Sequence, residues 1–220
     1  MAHREKRLVD LSHVILAGMT TYKGLPGPLV CDYLSREASA AHYDDGSTFQ
    51  IARIDMVANT GTYVDVPFHR YAEGDDLAAV AIGRLAGLDG LCVRSPGMAA
   101  GRELFDGLDV AGKAVLIHTG WDRHWGRPAY LDNHPFLTEA AARMLADRGA
   151  ALVGIDSHNI DDTRTRARPV HSLLLGAGIP ICEHMTRLGA LPPSGFRFFA
   201  APPRVEGMGT FPVRAFAEIG

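Results

Sequence analysis

The stretch Asn59-Thr60-Gly61-Thr62-Tyr63-Val64-Asp65-Val66-Pro67-Phe68-His69 decides the reading of this chain. It follows residues 49–58, an alternating run with Ile51, Arg53, Asp55 and Val57 on one face, which suits a strand leading into it. If the segment stays extended, positions 59, 63, 65 and 69 share one parity and their side chains point to one face. Pro67 has no backbone N–H, so the far end is an edge or a loop rather than a central strand. One face thus gathers Asn, Tyr, Asp and His. Asp65 alone could equally cap a turn before Pro67.

Around this segment the composition is ordinary. A chain of 220 residues is expected to form one compact domain over 1–220, and a hydrophobic fraction of 47% is enough to fill its core. A net charge of −3 offers no basic surplus for nucleic acid or an anionic membrane, which leaves a small-molecule substrate or a protein partner. Cys31, Cys92 and Cys182 lie far apart without a Cys-x-x-Cys pair, arguing against a disulfide framework or thiolate zinc. The charged opening at residues 1–7 leads straight into Leu8-Val9-Asp10-Leu11 with no signal-peptide apolar region, and no run approaches a membrane span. A cytoplasmic location is expected.

Local patterns place the remaining elements. Residues 8–16 read as a first strand, 24–28 as a turn, and 32–47 as a polar excursion or short helix. A short helix is expected over 76–84, with buried strands at 91–94 and 114–119. Thr138 can cap a helix running to about Arg148, with Glu139 in its first turn and Gly149 at its stop. Met144 and Leu145 would face inward. A strand at 151–155, a polar loop at 156–168, a helical turn from His171 and a strand at 179–182 follow. Many strands and few helices indicate an α/β or α+β domain with a mixed sheet.

A second polar set lies in the later part of the chain. His171 follows Pro169 and opens a short apolar segment, and Glu183 ends the run Ile179-Pro180-Ile181-Cys182. Each is a polar residue at the edge of a buried element, where a ligand can reach a cavity while its backbone stays anchored. Asp75-Asp76 and Asp161-Asp162 read as solvated loop charges. Glu103 and Asp106 read as surface. Of the ten histidines, His42, His118, His124 and His134 read as surface or hydrogen-bonded residues, while His158 and His184 leave membership of the site open.

The opening segment resembles the signature of the metal-dependent cyclase family, which includes bacterial kynurenine formamidases and isatin hydrolases: His-x-Gly-Thr-His-x-Asp-x-Pro-x-His. This chain keeps Gly61, Thr62, Asp65, Pro67 and His69 but has Asn59 and Tyr63 at the first two histidine positions. Asp10-Leu11-Ser12-His13, Gly18-Met19, Tyr22 and Gly154-Ile155-Asp156-Ser157 extend the likeness, although Lys23 stands where proline is usual. The resemblance runs from about residue 8 to the 180s; the last thirty or so residues carry little that matches. It implies a swivelling β/β/α-type domain around a mixed, barrel-like sheet, and a homodimer or homotetramer. It also implies a metal held by Asp65, His171 and Glu183. Asn59 and Tyr63 would then mark a lost second metal site or a substrate contact, beside Tyr22.

One imidazole with hard carboxylate oxygens suits Zn²⁺ or Mn²⁺, and one ion per chain is expected. Zinc lowers the pKa of a bound water from about 15.7 to about 7, giving a nucleophile at neutral pH. His69 could act as general acid and base. Two functions follow. One is a metal-dependent hydrolase or cyclase acting on a C–N or C–O bond of a small amide, lactam, lactone or ester, arylformamidase-like but distinct from kynurenine formamidase. The other is a non-catalytic, ligand-binding relative with a degraded metal site. Substrate identity lies beyond the sequence.

Overall fold

The computed structural model describes residues 6–220; the charged opening at residues 1–5 lies outside the described residues. Its elements run β1 (Arg7–Asp10), β2 (Leu29–Leu34), α1 (Arg36–Ser39), β3 (Ile51–Asp55), β4 (Tyr63–Asp65), β5 (Ala86–Arg94), β6 (Ala99–Ala100) and β7 (Ala114–His118). The second half adds β8 (Phe136–Leu137), α2 (Glu139–Asp147), β9 (Leu152–Ile155), α3 (Pro169–Gly176), β10 (Ile181–Glu183), β11 (Ser194–Phe199), β12 (Thr210–Pro212) and β13 (Phe216–Ile219).

Nine strands form one mixed, strongly curled, barrel-like sheet in the order β1-β13-β11-β5-β7-β9-β10-β4-β12. Its centre, β5-β7-β9-β10, is parallel, and both flanks are antiparallel. With three α-helices among the described residues, this is the α/β swivelling-type architecture that the resemblance implied.

Side-chain alternation splits the core in two. Ala114 and Leu116 of β7, Leu152 of β9, Cys182 of β10 and Val64 of β4 pack on one face of the sheet. Val115, Ile117, Val153, Ile155 and Ile181 point to the other, where Leu145 of α2 and Val170 and Leu174 of α3 cover them. The central strands are buried on both faces and therefore read as continuous apolar runs. Thr138 caps α2 by accepting from Ala141 N–H at 3.2 Å, and Gly149 stops it with φ +72°, both as expected. Leu145 is fully buried there, and truncating it to alanine would cost about 2–5 kcal/mol.

Several local expectations give way. The first strand ends at Asp10 instead of reaching residue 16, because side chains take over the pairing: Ser12 Oγ donates to Val213 O at 3.1 Å, and His13 N–H donates to Thr62 Oγ1 at 3.0 Å. Residues 76–84 form a turn and a 3₁₀ segment rather than a helix. Asp76 captures the N–H groups of Ala78 and Ala79, and Leu77 N–H pairs with Met208 O. Residues 32–47 divide between the end of β2, the short α1 and a 3₁₀ turn. The run before the signature does form a strand, β3, but it pairs with β2 as a separate exposed ribbon.

Candidate metal and substrate site

The signature is not one extended line. Gly61 turns the chain with φ +66°, β4 spans only residues 63–65, and Pro67 opens a 3₁₀ turn that ends at His69. Tyr63 and Asp65 share a face of β4, while Asn59 and His69 reach the same cavity from loops. The cavity, about 250 Å³, collects Tyr22, Asn59, Tyr63, Asp65, His69, His171 and Glu183 together.

Register explains the centre. In β10, Glu183 lies directly opposite Tyr63, and in β12, Thr210 lies directly opposite Asp65. Directly opposed residues of antiparallel strands share a face, so all four side chains project to one side. Glu183 therefore belongs to a strand, one residue beyond where the sequence pattern ended it. Gly209 lets the approach to β12 pass close to the His69 turn, since a Cβ there would overlap the His69 backbone.

His171 sits in the first turn of α3, which begins at Pro169, two residues before the expected start. Asp161 fixes it. Its carboxylate accepts the N–H groups of Val170 at 2.8 Å and His171 at 3.1 Å, and the His171 ring through Nδ1 at 2.6 Å. This corrects the reading of Asp161 as a solvated loop charge: it is 1% exposed and serves α3 as a cap. With Nδ1–H committed to Asp161, Nε2 faces Asp65 Oδ2 at 3.7 Å and Glu183 Oε1 at 3.6 Å. Burial opposes charge on this imidazole, but the charges of Glu183 and Asp65 and the hydrogen bond to Asp161 outweigh it and push His171 up to about 10.

Asp65 Oδ1 accepts from the Thr210 hydroxyl, and that hydroxyl also meets His69 Nδ1 at 2.7 Å. A hydroxyl has one proton to give. If Asp65 receives it, His69 donates from Nδ1 and keeps its lone pair on Nε2. Asp65 Oδ2 is buried and has no hydrogen-bond partner among the described residues. Two donors on a tetrahedral zinc stand roughly 3.4 Å apart. The 3.7 Å gap between Oδ2 and His171 Nε2 is close to that spacing and too long for a hydrogen bond. Ligand atoms from Asp65, His69 and His171 all lie within 4.8 Å of one another, so the donor set fits a metal ion.

Around Glu183 the other half of the cavity is already paired. Oε1 accepts from Ile160 N–H at 2.6 Å, and Oε2 accepts from the Tyr63 hydroxyl at 2.5 Å and the Tyr22 hydroxyl at 3.4 Å. The two phenols lie 2.9 Å apart, and Asn159 Nδ2 donates to Tyr22 at 2.9 Å. Burial, followed by the Glu183 charge, holds both phenols well above their ordinary range, so they stay protonated. Burial also raises the Glu183 carboxyl. Asn59 lines the cavity and makes no hydrogen bond among the described residues.

His158 and His184 lie behind Tyr22 rather than in the cavity. Their rings pack against it at 4.6 and 5.4 Å, and His184 Nδ1 meets the Tyr130 hydroxyl at 3.1 Å. Burial lowers His158 to about 3 and His184 further, so both are neutral. His134 is buried and hydrogen-bonded to Pro135 O and Thr163 Oγ1. The sequence reading missed Asp161, Thr210 and Asn159. An Asp inside a polar loop and a lone Thr in an unmatched tail gave no pattern; the position of Asp161, ten residues before the candidate ligand His171, was the one usable signal.

The sheet and this cavity define an α/β protein with a carboxylate–imidazole site on the helix-covered face. A family described as "Putative cyclase" matches residues 9–162, and the chain belongs to that family. Kynurenine formamidase of Geobacillus thermodenitrificans is 28% identical over 193 residues, covering 86% of this chain and 88% of that one. The enzyme of the same name from Salinibacter ruber is 29% identical over 185 residues, covering 80% and 84%. An isatin hydrolase bound to the product analogue thioisatinate shares the fold, with a TM-score of 0.83, 21% identity and coverage of 98% and 93%. A potential metal-dependent hydrolase with cyclase activity superposes with a TM-score of 0.80 at 25% identity, covering 98% and 99%. The family is hydrolase-type, and membership supports enzymatic activity. Among the described residues no helix is long and apolar enough to cross a membrane.

Proposed function

We propose that this protein is a mononuclear metal-dependent hydrolase acting on the C–N or C–O bond of a small amide, lactam, lactone or ester. The observation that carries the reading is Asp65 Oδ2, buried without a partner and 3.7 Å from a His171 Nε2 whose other ring nitrogen is tied to Asp161. A carboxylate–histidine arrangement of this kind orients an imidazole for a metal. Asp65, His171 and Glu183 would hold one Zn²⁺ or Mn²⁺ ion. When bound, such an ion lowers the pKa of water and polarises a carbonyl.

The chain's own residues supply the rest. His69, whose side chain is 35% exposed beside Asp65, takes a proton from the attacking water through Nε2 and returns it to the leaving nitrogen or oxygen. Thr210 holds its ring. Tyr22 and Tyr63, both protonated donors, close the wall beyond Glu183. Asn59 and Tyr63 stand at the first two histidine positions of the family signature, so kynurenine formamidase activity is not expected. A second reading makes His69 the third ligand, favoured by its compact grouping with Asp65 and His171.

Small amides and lactones screened with added metal, on the wild type and His69→Ala, test the proposal. Activity is expected only with metal and an intact His69. A His69→Ala protein that keeps its metal supports the proton carrier, and one that loses it supports the ligand. Activity surviving both chelation and His69→Ala, or none with any substrate, overturns the hydrolase and favours a binding relative. Self-association as a dimer or tetramer is also proposed, supported by Leu29, Val30, Tyr33, Ile51 and Ile54 exposed on the β2–β3 ribbon. Light scattering reads it directly.

A further inference from the structure

The cavity mouth carries charge that the hydrolytic mechanism leaves unused. Arg168, which precedes α3, and Arg70, which follows His69, both line it. Neither has an ion-pair partner among the described residues. Arg168 Nη1 donates to the carbonyls of Thr165 at 2.8 Å, Ala167 at 2.6 Å and Asp162 at 3.5 Å, which fastens the guanidinium to the backbone. Its Nε and Nη2 have no hydrogen-bond partner among the described residues. Arg70 Nε donates to Ser172 Oγ at 3.2 Å, and Ser172 Oγ donates to Arg168 O at 2.9 Å, so one serine ties the two arginine segments together.

The two lining carboxylates, Asp65 and Glu183, are buried at the floor and engaged there with Thr210, His171 and Tyr63. Apart from His69 and His171, which belong to the metal end, the remaining wall is neutral. One divalent ion would offset both carboxylates, leaving two guanidinium charges over a cavity whose volume of about 250 Å³ admits only a small molecule. A rigid fork of N–H donors matches a planar carboxylate, and a half-buried setting strengthens the pair.

We propose that the substrate bears a carboxylate, received at the mouth by Arg168 and Arg70 while its hydrolysable carbonyl reaches the Asp65–His171 end. This rests on the hydrolase reading and narrows it to small anionic amides, lactones or esters. The arginines are binding residues and take no part in proton transfer.

The test separates binding from chemistry. Calorimetry on metal-loaded protein would compare benzoate, benzamide and phenyl phosphate, using the wild type, Arg168→Met, Arg168→Lys and Arg70→Met. Metal content would be measured for each. Arg70 is exposed, so its variant probes the mouth without disturbing the backbone bonds that Arg168 makes. Benzoate should bind wild type more tightly than benzamide or phenyl phosphate and lose about tenfold or more in Arg168→Met. Arg70→Met should lose less, and Arg168→Lys should recover part of the affinity. Equal benzoate affinity in the wild type and both methionine variants overturns the proposal, since carboxylate would then be meeting only the metal. Tighter binding of phenyl phosphate also overturns it. In parallel, formanilide and 2-formamidobenzoate report hydrolysis. Arginine-dependent benzoate binding with no amide, lactone or ester cleaved would sink the hydrolase reading and leave the carboxylate recognition standing. Cleavage of formanilide with arginine-independent benzoate binding would do the reverse.

Discussion

At one end of the cavity Asp65, His69 and His171 leave an oxygen and an imidazole nitrogen facing each other across a gap that no hydrogen bond closes. At the other, Tyr22, Tyr63 and Asn159 form a closed chain of donors that ends on Glu183. Asp65 and His171 at the first end and Tyr63 at the second are buried, and both ends touch Glu183. A buried polar group without a partner costs more than the net worth of a typical hydrogen bond, so the first end has reason to hold a cation. Protonated phenols satisfy the second without one. The difference teaches that phenols and an amide can satisfy a buried carboxylate from within the protein, whereas a carboxylate oxygen facing an imidazole across a gap is left open.

Breaking the open end should have the largest effects. Asp65→Ala removes the unpartnered carboxylate, and the purified protein is expected to retain no metal and to lose at least a hundredfold in activity, read by elemental analysis and a hydrolysis assay. Asp161→Asn leaves the ligands in place but removes the charge that fixes His171. Its metal affinity should fall about 10–100-fold in a competition titration. An unchanged affinity would show that Asp161 serves only to cap α3.

Converting the closed end sharpens the contrast. The double substitution Asn59→His and Tyr63→His should let the protein take up a second equivalent of metal, measured by the same elemental analysis. Tyr63→Phe should do something smaller. It strips the 2.5 Å donor from Glu183 and should lower stability by about 1–3 kcal/mol in denaturant melts, with metal retained. Loss of metal in that variant would mean the two ends are not independent.

The pH response of metal-free protein separates them again. His171 is raised from 6.5 to about 10, so the stability it contributes is complete below pH 6.5 and is lost as pH rises toward 10. Glu183, raised by burial, works in the same direction. The melting temperature of the metal-free chain should therefore fall across that window. The rise produced by added metal should grow with pH, because protons compete less for the imidazole. A metal effect that shrinks as pH rises would contradict the assignment of His171.

Much of this site is legible before the structure. Asp65, His69, His171 and Glu183 each stand beside a proline or end an apolar run, and the structure brings all four to one cavity. Thr210 and Asp161 were illegible for a physical reason: their partners are about 145 and 10 residues away, and strand register and helix capping, not local pattern, create the contacts. The same holds for the fold. The central parallel strands announce themselves as apolar runs, whereas β11, β12 and β13 come from a tail without recognisable motifs and yet complete both flanks of the sheet. β3 was legible as an alternating strand, whereas its partner β2 was not, because β2 is almost wholly exposed and shows no buried face.

The contrast between the two ends reduces to the number of metal ions the chain holds. Elemental analysis of protein purified without chelator measures it. One tightly held equivalent per chain, lost in Asp65→Ala, is the expected result. Two equivalents in the wild type would contradict the account, because the phenolic end would then bind a cation after all.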